Sequence, residues 1–418
     1  MQAENNKNDI KTLSFGCRLN AAECERIKTM LAPHGICCVV VNTCAVTAEA
    51  ERQCGQTVRK IARENPETII FVTGCGATRN PGLFEKIANV IVIPNDKKMK
   101  IDSYLVNKTV QKNGNSYQNI YGNFDKESKL SKKFVQIQNG CNHDCSYCVT
   151  RLLRGPSVSF EYDEILENVR DATNHGFGEI VLTGVDVASY VRIYDNRPFL
   201  VSDLCRSLLS DLPAIKRLRL SSVDPAVPAI CAIIEMMKTD NRFMPHLHLS
   251  MQSGSDTVLR AMRRRHTANT VRNLVKLADG RISFSWDIIC GFPGETDELF
   301  NETLDLAREL GPVRIHAFPF SPRPGTIATE MPNQVPHNIA RARVRQITDI
   351  ANENMRKFMH PMIGNVSQVL VESDNFARTP DDIPIKITGT QIAPRTICDV
   401  NVTGIDGMYL VGRVIGRE

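Results

Sequence analysis

Short apolar segments alternate with helical segments along most of the chain, and this alternation limits the possible folds more than any other feature. In the first hundred residues, apolar segments at 11–15, 36–41 and 68–72 are separated by helical patterns at 21–31 and 47–63. Uninterrupted apolar strands between helices predict a parallel sheet with helices on both faces. The chain therefore begins with an α/β domain.

A second series of alternating segments is longer. Its predicted strands are 134–138, 179–183, 217–221, 246–250, 283–289 and 314–318. Six strand–helix units without a dinucleotide-binding glycine motif predict a partial (β/α)6 barrel. The active site of such a barrel is expected at the C-terminal ends of its strands.

The end of the chain has a different character. Its short β-branched segments are separated by Gly, Pro and Asp, which predicts a small antiparallel β-barrel; the segments are 366–372, 383–387, 397–402 and 408–415. A lysine-rich stretch before the (β/α) barrel predicts a linker with a short hairpin near 110–121. The predicted domains are an N-terminal parallel-sheet domain at 9–105, a linker at 106–133, the (β/α) barrel at 134–358 and the small barrel at 359–418.

The composition excludes fibrous, disordered and membrane-spanning chains. Of 418 residues, 42% are hydrophobic and 23% charged, which is ordinary for a globular protein. Neither a spanning apolar segment nor a signal-peptide pattern is visible, so we expect a cytoplasmic protein without a membrane partner. The net charge of +5 is weak evidence for a polyanionic partner. In a reducing cytosol the 14 cysteines are not expected to form structural disulfides.

Three cysteines follow the three predicted N-terminal strands directly. Cys17, Cys44 and Cys75, here called the N-terminal triad, are spaced at about one strand–helix unit each. Because the carboxyl ends of parallel strands lie at one edge of a sheet, we expect these thiols to converge where ligands bind. The alternative is that they are buried by chance, which is the better interpretation for Cys24, Cys37, Cys38 and Cys54, inside predicted elements.

Three further cysteines lie on one short loop after the first strand of the (β/α) barrel. Cys141, Cys145 and Cys148, here called the barrel triad, have the spacing C-x3-C-x2-C. Three thiolates can bind three irons of a [4Fe–4S] cube and leave the fourth iron open for a chelating ligand. A structural zinc site would need a fourth protein ligand, and His143 could supply it only by straining the tight loop.

The barrel triad, with its aromatic residue before the third cysteine, resembles the radical S-adenosylmethionine (SAM) superfamily. The whole chain is similar to the methylthiotransferases, with matching motifs at 15–20, 41–44, 72–75 and 318–326. This resemblance implies a flavodoxin-like first domain, a radical SAM barrel and a terminal TRAM-like domain. It also implies two [4Fe–4S] clusters: the barrel triad would hold the one that cleaves SAM, and the N-terminal triad the one that carries sulfur.

The resemblance also implies contacts with SAM. Tyr147 stands at the position near the adenine, and Thr183 and Gly184 where the family contacts the amino group. Gln252 and Gly291 lie at later strand ends, where glycine-containing turns let the backbone approach a nucleoside. Glu295 is a candidate ribose acceptor, and a helix N-terminal charge is its alternative role. The thiolates are ligands, so no catalytic acid or base is assigned.

Family members modify isopentenyladenosine or threonylcarbamoyladenosine in tRNA, or an aspartate of a ribosomal protein. Arg18 and the segment 262–267 look most like the class that modifies C2 of N6-threonylcarbamoyladenosine next to the anticodon. Arg263, Arg264 and Arg265, here called the arginine run, are expected to contact phosphates, with a solvated helix end as the alternative. The implied partners are a tRNA anticodon stem-loop and an electron donor such as a flavodoxin or ferredoxin, and no DNA.

Two features depart from the family pattern. The segment 149–153 lacks the usual proline and aromatic residue, although Arg154 and Gly155 are retained. Residues 360–418 hold five basic and seven acidic residues, whereas an RNA-binding module normally has a basic face. The alternatives are a methylthiotransferase that acts on isopentenyladenosine in tRNA or on an aspartate of a ribosomal protein, and a non-catalytic RNA-binding iron–sulfur protein.

Overall fold

The computed structural model describes residues 10–105, 130–389 and 391–415. The predicted hairpin at 110–121 and most of the predicted linker lie outside these residues. The described residues form two compact units, of which the first contains 10–105 and Val149–Pro156. The second contains 130–148 and the described residues from Ser157 onward. The (β/α) barrel and the small barrel, predicted as separate domains, thus share one compact unit.

The first unit contains a parallel sheet with the strand order β1-β2-β3-β4. Val39 and Val41 of its second strand share a core with Val58, whereas Val40 shares another core with Ile27. Because successive side chains of a strand point to opposite faces, the helices cover both faces, as predicted. The elements are β1 (Ile10–Ser14), α1 (Arg18–Leu31), β2 (Cys38–Thr43), α2 (Ala48–Glu64), β3 (Ile70–Gly74), α3 (Cys75–Arg79), β4 (Val90–Val92) and α4 (Thr150–Arg154).

The second unit contains the predicted partial (β/α)6 barrel. Its first elements are β5 (Lys132–Gln136), β6 (Gln138–Asn139), β7 (Val158–Ser159), α5 (Tyr162–Asn174), β8 (Glu179–Thr183), β9 (Val191–Tyr194), β10 (Arg197–Leu200), α6 (Val201–Asp211), β11 (Leu218–Leu220) and α7 (Ala229–Thr239). The following elements are β12 (His246–Gln252), α8 (Asp256–Ala261), α9 (Ala268–Ala278), β13 (Ser283–Cys290), α10 (Asp297–Leu310), β14 (Arg314–Pro319), α11 (Ile327–Glu330) and α12 (His337–Met359).

Six parallel strands make up the (β/α) barrel. Strands β5, β8 and β11 form one sheet, and β12, β13 and β14 form another. Isolated parallel bridges, Leu218 with Phe243 and Val223 with Leu249, connect the two sheets. The strand residues that face the helices are apolar, including the buried Trp286. Alternation therefore directs the intervening polar side chains into the lumen of the (β/α) barrel.

The small barrel is closed and has the strand order β15-β16-β17-β19-β18. Its strands are β15 (Val366–Ser373), β16 (Phe376–Arg378), β17 (Pro384–Thr388), β18 (Ile397–Asp406) and β19 (Tyr409–Val414). The pairs are antiparallel as predicted, except that β17 and β19 are parallel. The sequence analysis missed the three-residue β16, which is too short to show a strand pattern.

The small barrel packs against the N-terminal ends of the strands of the (β/α) barrel. Arg219 donates a hydrogen bond to the carbonyl oxygen of Pro380 at 2.9 Å, and Arg314 forms an ion pair with Asp382 at 3.0 Å. The C-terminal ends of these strands, which precede the barrel triad and the predicted SAM contacts, are at the opposite end of the (β/α) barrel. Among the described residues, no helix has both the length and the apolar composition needed to cross a membrane.

Candidate functional site

The register of the first sheet brings the N-terminal triad to one edge. Thr43 of β2 pairs with Gly74 of β3, so Cys44 and Cys75 leave the sheet side by side. Cys17 occupies the N-cap position of α1 at the same edge. The predicted convergence of the three cysteines is therefore observed.

Glycine is required beside Cys44. Gly16 has φ +85°, and a Cβ atom built on it would lie 2.6 Å from the Cys44 sulfur.

Burial raises the pKa of the Cys44 thiol to about 11, and the nearby Cys17 and Cys75 thiols act in the same direction. A group that binds all three sulfurs as thiolates must therefore bring positive charge, as an iron–sulfur core does. The donor set fits such a cluster.

A buried ion cluster lies beside the N-terminal triad. The Arg154 guanidinium lies 3.3 Å from the Cys75 sulfur and 2.7 Å from a Glu23 carboxylate oxygen. Lys98 Nζ lies 2.6 Å from the other Glu23 oxygen, and the side chains of Arg154, Glu23 and Lys98 are at most 3% exposed. Although burial acts to raise the pKa of Glu23, Arg154 and Lys98 hold it at about 2. One carboxylate thus neutralises one of two cations, and the remaining positive charge lies next to the Cys75 thiol.

The sequence analysis missed Glu23 and Lys98. Glu23 follows Leu19 and precedes Ile27 at intervals of four residues, so it lies on the buried face of α1. A charged residue on an apolar helix face was the signal that could have identified it. The altered segment 149–153 carries Arg154 into this cluster, because Val149–Pro156 belongs to the first unit.

The barrel triad lies on the loop that follows β6. The backbone N–H of Cys148 donates to the carbonyl of Cys145 at 3.1 Å, which closes a tight turn. The backbone N–H of His143 donates to the Cys141 sulfur at 3.4 Å. All three cysteines are half-buried, which leaves their sulfurs accessible to a ligand. The loop thus presents three thiols with an amide donor, as an iron–sulfur site requires.

His143 is engaged by a carboxylate. Its Nε2 atom lies 2.5 Å from an oxygen of the buried Asp186. The ligand atoms of Cys141, His143 and Asp186 lie within 4.8 Å of one another. Because Cys141 belongs to the barrel triad, we assign this group to the same site.

All three members of the arginine run contact the loop of the barrel triad. Arg263 forms an ion pair with Asp144, Arg264 donates to the Cys145 sulfur at 3.5 Å, and Arg265 lies 3.0 Å from His143 Nε2. The Arg264 side chain is only 7% exposed. The sequence analysis expected the run to contact phosphates, with a solvated helix end as the alternative. Neither expectation describes Arg264, whose side chain is buried beside Cys145.

A buried aspartate holds two of these arginines. Asp224 lies 3.4 Å from Arg264 and 3.1 Å from Arg265. Ser146 of the triad loop also bonds to the backbone just before the run, donating from its N–H to the Met262 carbonyl at 3.1 Å. The arginine run and the triad loop are thus joined by backbone as well as side-chain contacts.

Two predicted SAM contacts lie near the barrel triad. Tyr147 is half-buried and packs against an apolar cluster that includes Met262 and Phe292. The Thr183 hydroxyl is buried and has no hydrogen-bond partner within the described part of the chain. A buried hydroxyl without a partner is costly unless a ligand supplies one, so Thr183 fits a contact with a polar ligand.

The other predicted SAM contacts have structural roles of their own. A Cβ atom on Gly184 would lie 2.9 Å from Gln138, and one on Gly291 would lie 2.5 Å from Ala340. Gln252 has φ +67°, in the left-handed region that residues other than glycine rarely adopt and that is often found at functional positions. Glu295 is buried and accepts hydrogen bonds from the Gly291 N–H at 2.6 Å and from Arg343 at 2.8 Å. Both contacts reach the same carboxylate oxygen of Glu295, and its ribose contact stays a prediction.

Comparison with known families covers both units. The model of the Radical SAM superfamily matches residues 135–307, and that of the uncharacterized protein family UPF0004 matches residues 9–93. The Radical SAM match includes the barrel triad, and the UPF0004 match includes the N-terminal triad.

Curated relatives match nearly the whole chain. The threonylcarbamoyladenosine tRNA methylthiotransferase MtaB of Rickettsia prowazekii is 36% identical over 409 residues, which cover 95% of this chain and 96% of the relative. The protein of the same name from Thermotoga maritima is 30% identical, covering 87% and 86%. The tRNA-2-methylthio-N(6)-dimethylallyladenosine synthase of Anaplasma phagocytophilum is 31% identical, covering 88% and 87%.

Among solved structures, the fold is similar to that of a radical SAM methyltransferase. TsrM from Kitasatospora setae, with cobalamin and a [4Fe–4S] cluster bound, has a TM-score of 0.55 and 14% sequence identity. The similarity covers 77% of each chain. At this identity the match shows a shared fold.

Proposed function

The chain belongs to the tRNA methylthiotransferase family of radical SAM enzymes, and from this premise we propose that it modifies N6-threonylcarbamoyladenosine next to the anticodon of tRNA. The reaction replaces the C2–H bond of the adenine by C2–S–CH3. The observation that carries the substrate assignment is the similarity to the Rickettsia prowazekii enzyme over nearly the full length of both chains.

We propose that the barrel triad holds one [4Fe–4S] cluster and the N-terminal triad the other. When bound, the two clusters and SAM supply radical chemistry at the unreactive C–H bond and the sulfur and methyl group that replace the hydrogen. No side chain is a strong enough base to remove this hydrogen as a proton, so the cysteines act as ligands.

The protein residues position and charge-balance these ligands. Arg264 places a cation beside Cys145, and Asp224 fixes the arginine. Arg154 does the same for Cys75, and Glu23 fixes it. Thiolates next to fixed cations are stabilised, since a nearby positive charge favours the charged form of a thiol. Each triad therefore has one buried arginine directed at one of its sulfurs.

The proposed partners are a tRNA anticodon stem-loop and a small electron-transfer protein such as a flavodoxin or ferredoxin, in the cytoplasm. Arg263 and Arg265 are about half exposed and support contacts with phosphates. The acidic small barrel packs against the far end of the (β/α) barrel, which supports a structural role for it.

The test is nucleoside analysis of tRNA from cells that lack this protein. We expect 2-methylthio-N6-threonylcarbamoyladenosine to disappear and N6-threonylcarbamoyladenosine to accumulate. Loss of the dimethylallyl nucleoside instead would favour the second candidate, supported by the 31% identity to the Anaplasma enzyme. Unchanged tRNA would overturn the proposal. SAM cleavage by the reconstituted protein separates an enzyme from a non-catalytic RNA-binding protein.

A further inference from the structure

Two histidines and one aspartate meet in the lumen of the (β/α) barrel. His248, Asp287 and His316 lie on the adjacent parallel strands β12, β13 and β14. Asp287 pairs directly with His316, and His248 pairs with a residue two positions before Asp287. Their strand neighbours Leu249 and Trp286 belong to the core on the other face, so these three side chains face the lumen.

The distances within this group, here called the lumen triad, suit a metal ion. His248 Nε2 lies 3.0 Å and His316 Nδ1 lies 3.7 Å from Asp287 Oδ1, and the three ligand atoms lie within 4.8 Å of one another. Ligands about 2.0–2.1 Å from one metal ion are separated by about 2.9 Å at right angles and about 3.4 Å in a tetrahedron. Small rotamer changes would therefore bring all three atoms to a common ion.

The surroundings of the lumen triad also suit a metal ion. The side chains of His248, Asp287 and His316 are 13%, 24% and 45% exposed, so an ion can enter and keep water ligands. The three residues lie on paired strands, which hold ligands more rigidly than loops do. The two imidazole rings are 5.1 Å apart and tilted by 45°, so they do not stack face to face.

We propose that the lumen triad binds a divalent transition-metal ion of the zinc or ferrous class. Two imidazole nitrogens and one carboxylate oxygen are the protein ligands of many catalytic zinc and mononuclear iron sites. Such a site keeps open positions, which here face the lumen and accept oxygen ligands. None of its three ligands belongs to a cysteine triad, and the proposal does not depend on which nucleoside is the substrate.

The test is zinc binding by the anaerobically reconstituted holoenzyme. Wild type and the Asp287→Asn variant are dialysed against micromolar zinc, and zinc and iron per chain are measured together. We expect wild type to bind about one more zinc than the variant, with about eight irons in both. We also expect zinc-edge X-ray absorption to show nitrogen and oxygen ligands at about 2.0–2.1 Å, without the sulfur shell at about 2.3 Å of cysteine-bound zinc.

Two further variants keep the test decisive. His316→Gln alters a half-exposed side chain and is expected to fold, and it should weaken zinc binding at least about tenfold. His175→Gln is the matched control, because His175 and Asp171 form an exposed pair 3.2 Å apart outside the lumen. Equal zinc binding by wild type and His316→Gln, a sulfur shell, or zinc uptake matched by iron loss would each overturn the proposal.

Discussion

Replacing Glu23 by Ala is expected to destabilise the first unit selectively. Burial acts to raise the pKa of Glu23, but Arg154 and Lys98 hold it at about 2, against an ordinary value of 4.5. At about 1.4 kcal/mol per pKa unit, this shift corresponds to roughly 3 kcal/mol of stability. Because the pKa is lowered on folding, the contribution is complete above about pH 4.5 and is lost as the pH falls towards 2.

The variant also leaves two buried cations without their carboxylate. Removing one partner of a buried ion cluster typically costs about 3–5 kcal/mol, which agrees with the value from the pKa. The additional change Lys98→Met should restore part of the loss, because it removes one of the two uncompensated charges. The double variant therefore tests whether electrostatics, and not lost packing, causes the effect.

Hydrogen exchange measured by mass spectrometry at pH 7 can locate this effect. We expect peptides from β2 and β3 to exchange roughly 100-fold faster in Glu23→Ala, as 3 kcal/mol implies for exchange through unfolding of the unit. The single tryptophan, Trp286, is buried in the second unit, so its fluorescence transition in urea should not change. Glu49→Ala, which removes an exposed ion pair with Arg52, is the control. Unchanged exchange in β2 and β3 of Glu23→Ala would refute the reasoning.

Three further predictions concern the clusters and the second unit. Cys44→Ala should abolish methylthiolation but leave SAM cleavage to 5′-deoxyadenosine, whereas Cys145→Ala should abolish both; loss of cleavage in a folded Cys44→Ala protein would count against two independent clusters. Arg264→Ala should reduce SAM cleavage without RNA and alter the EPR spectrum of the reduced barrel cluster more than Arg263→Ala does, and equal effects would contradict the assignment. Burial, helped by Arg264, lowers the pKa of His266 to about 4, so the second unit should lose stability as the pH falls from about 6.5 to 4, by roughly 3 kcal/mol. Tryptophan fluorescence in urea should show a weaker pH dependence in His266→Gln, and an unchanged dependence would exclude this histidine as its source.

Local patterns predicted most of the strands and the edge at which each triad lies. The apolar segments at 36–41 and 246–250 correspond to β2 and β12 because a buried strand requires a continuous or alternating apolar face. The parallel pairing of β17 with β19 could not be predicted, because local periodicity gives a strand but not its neighbour. The contact of Arg264 with Cys145 was missed for a related reason, since it joins residues 119 positions apart.

The sequence by itself determined the two cysteine triads, the order of the α/β units and the family, because these depend on spacing along the chain and on segment periodicity. Only the tertiary structure decided which charged residues contact the cysteine triads and which face solvent. Arg154 and Arg264 each lie beside one triad cysteine, and Glu23 and Asp224 each form an ion pair with one of these arginines. These partners come from distant segments, and a buried charge is stable only where folding brings its counter-charge within contact distance.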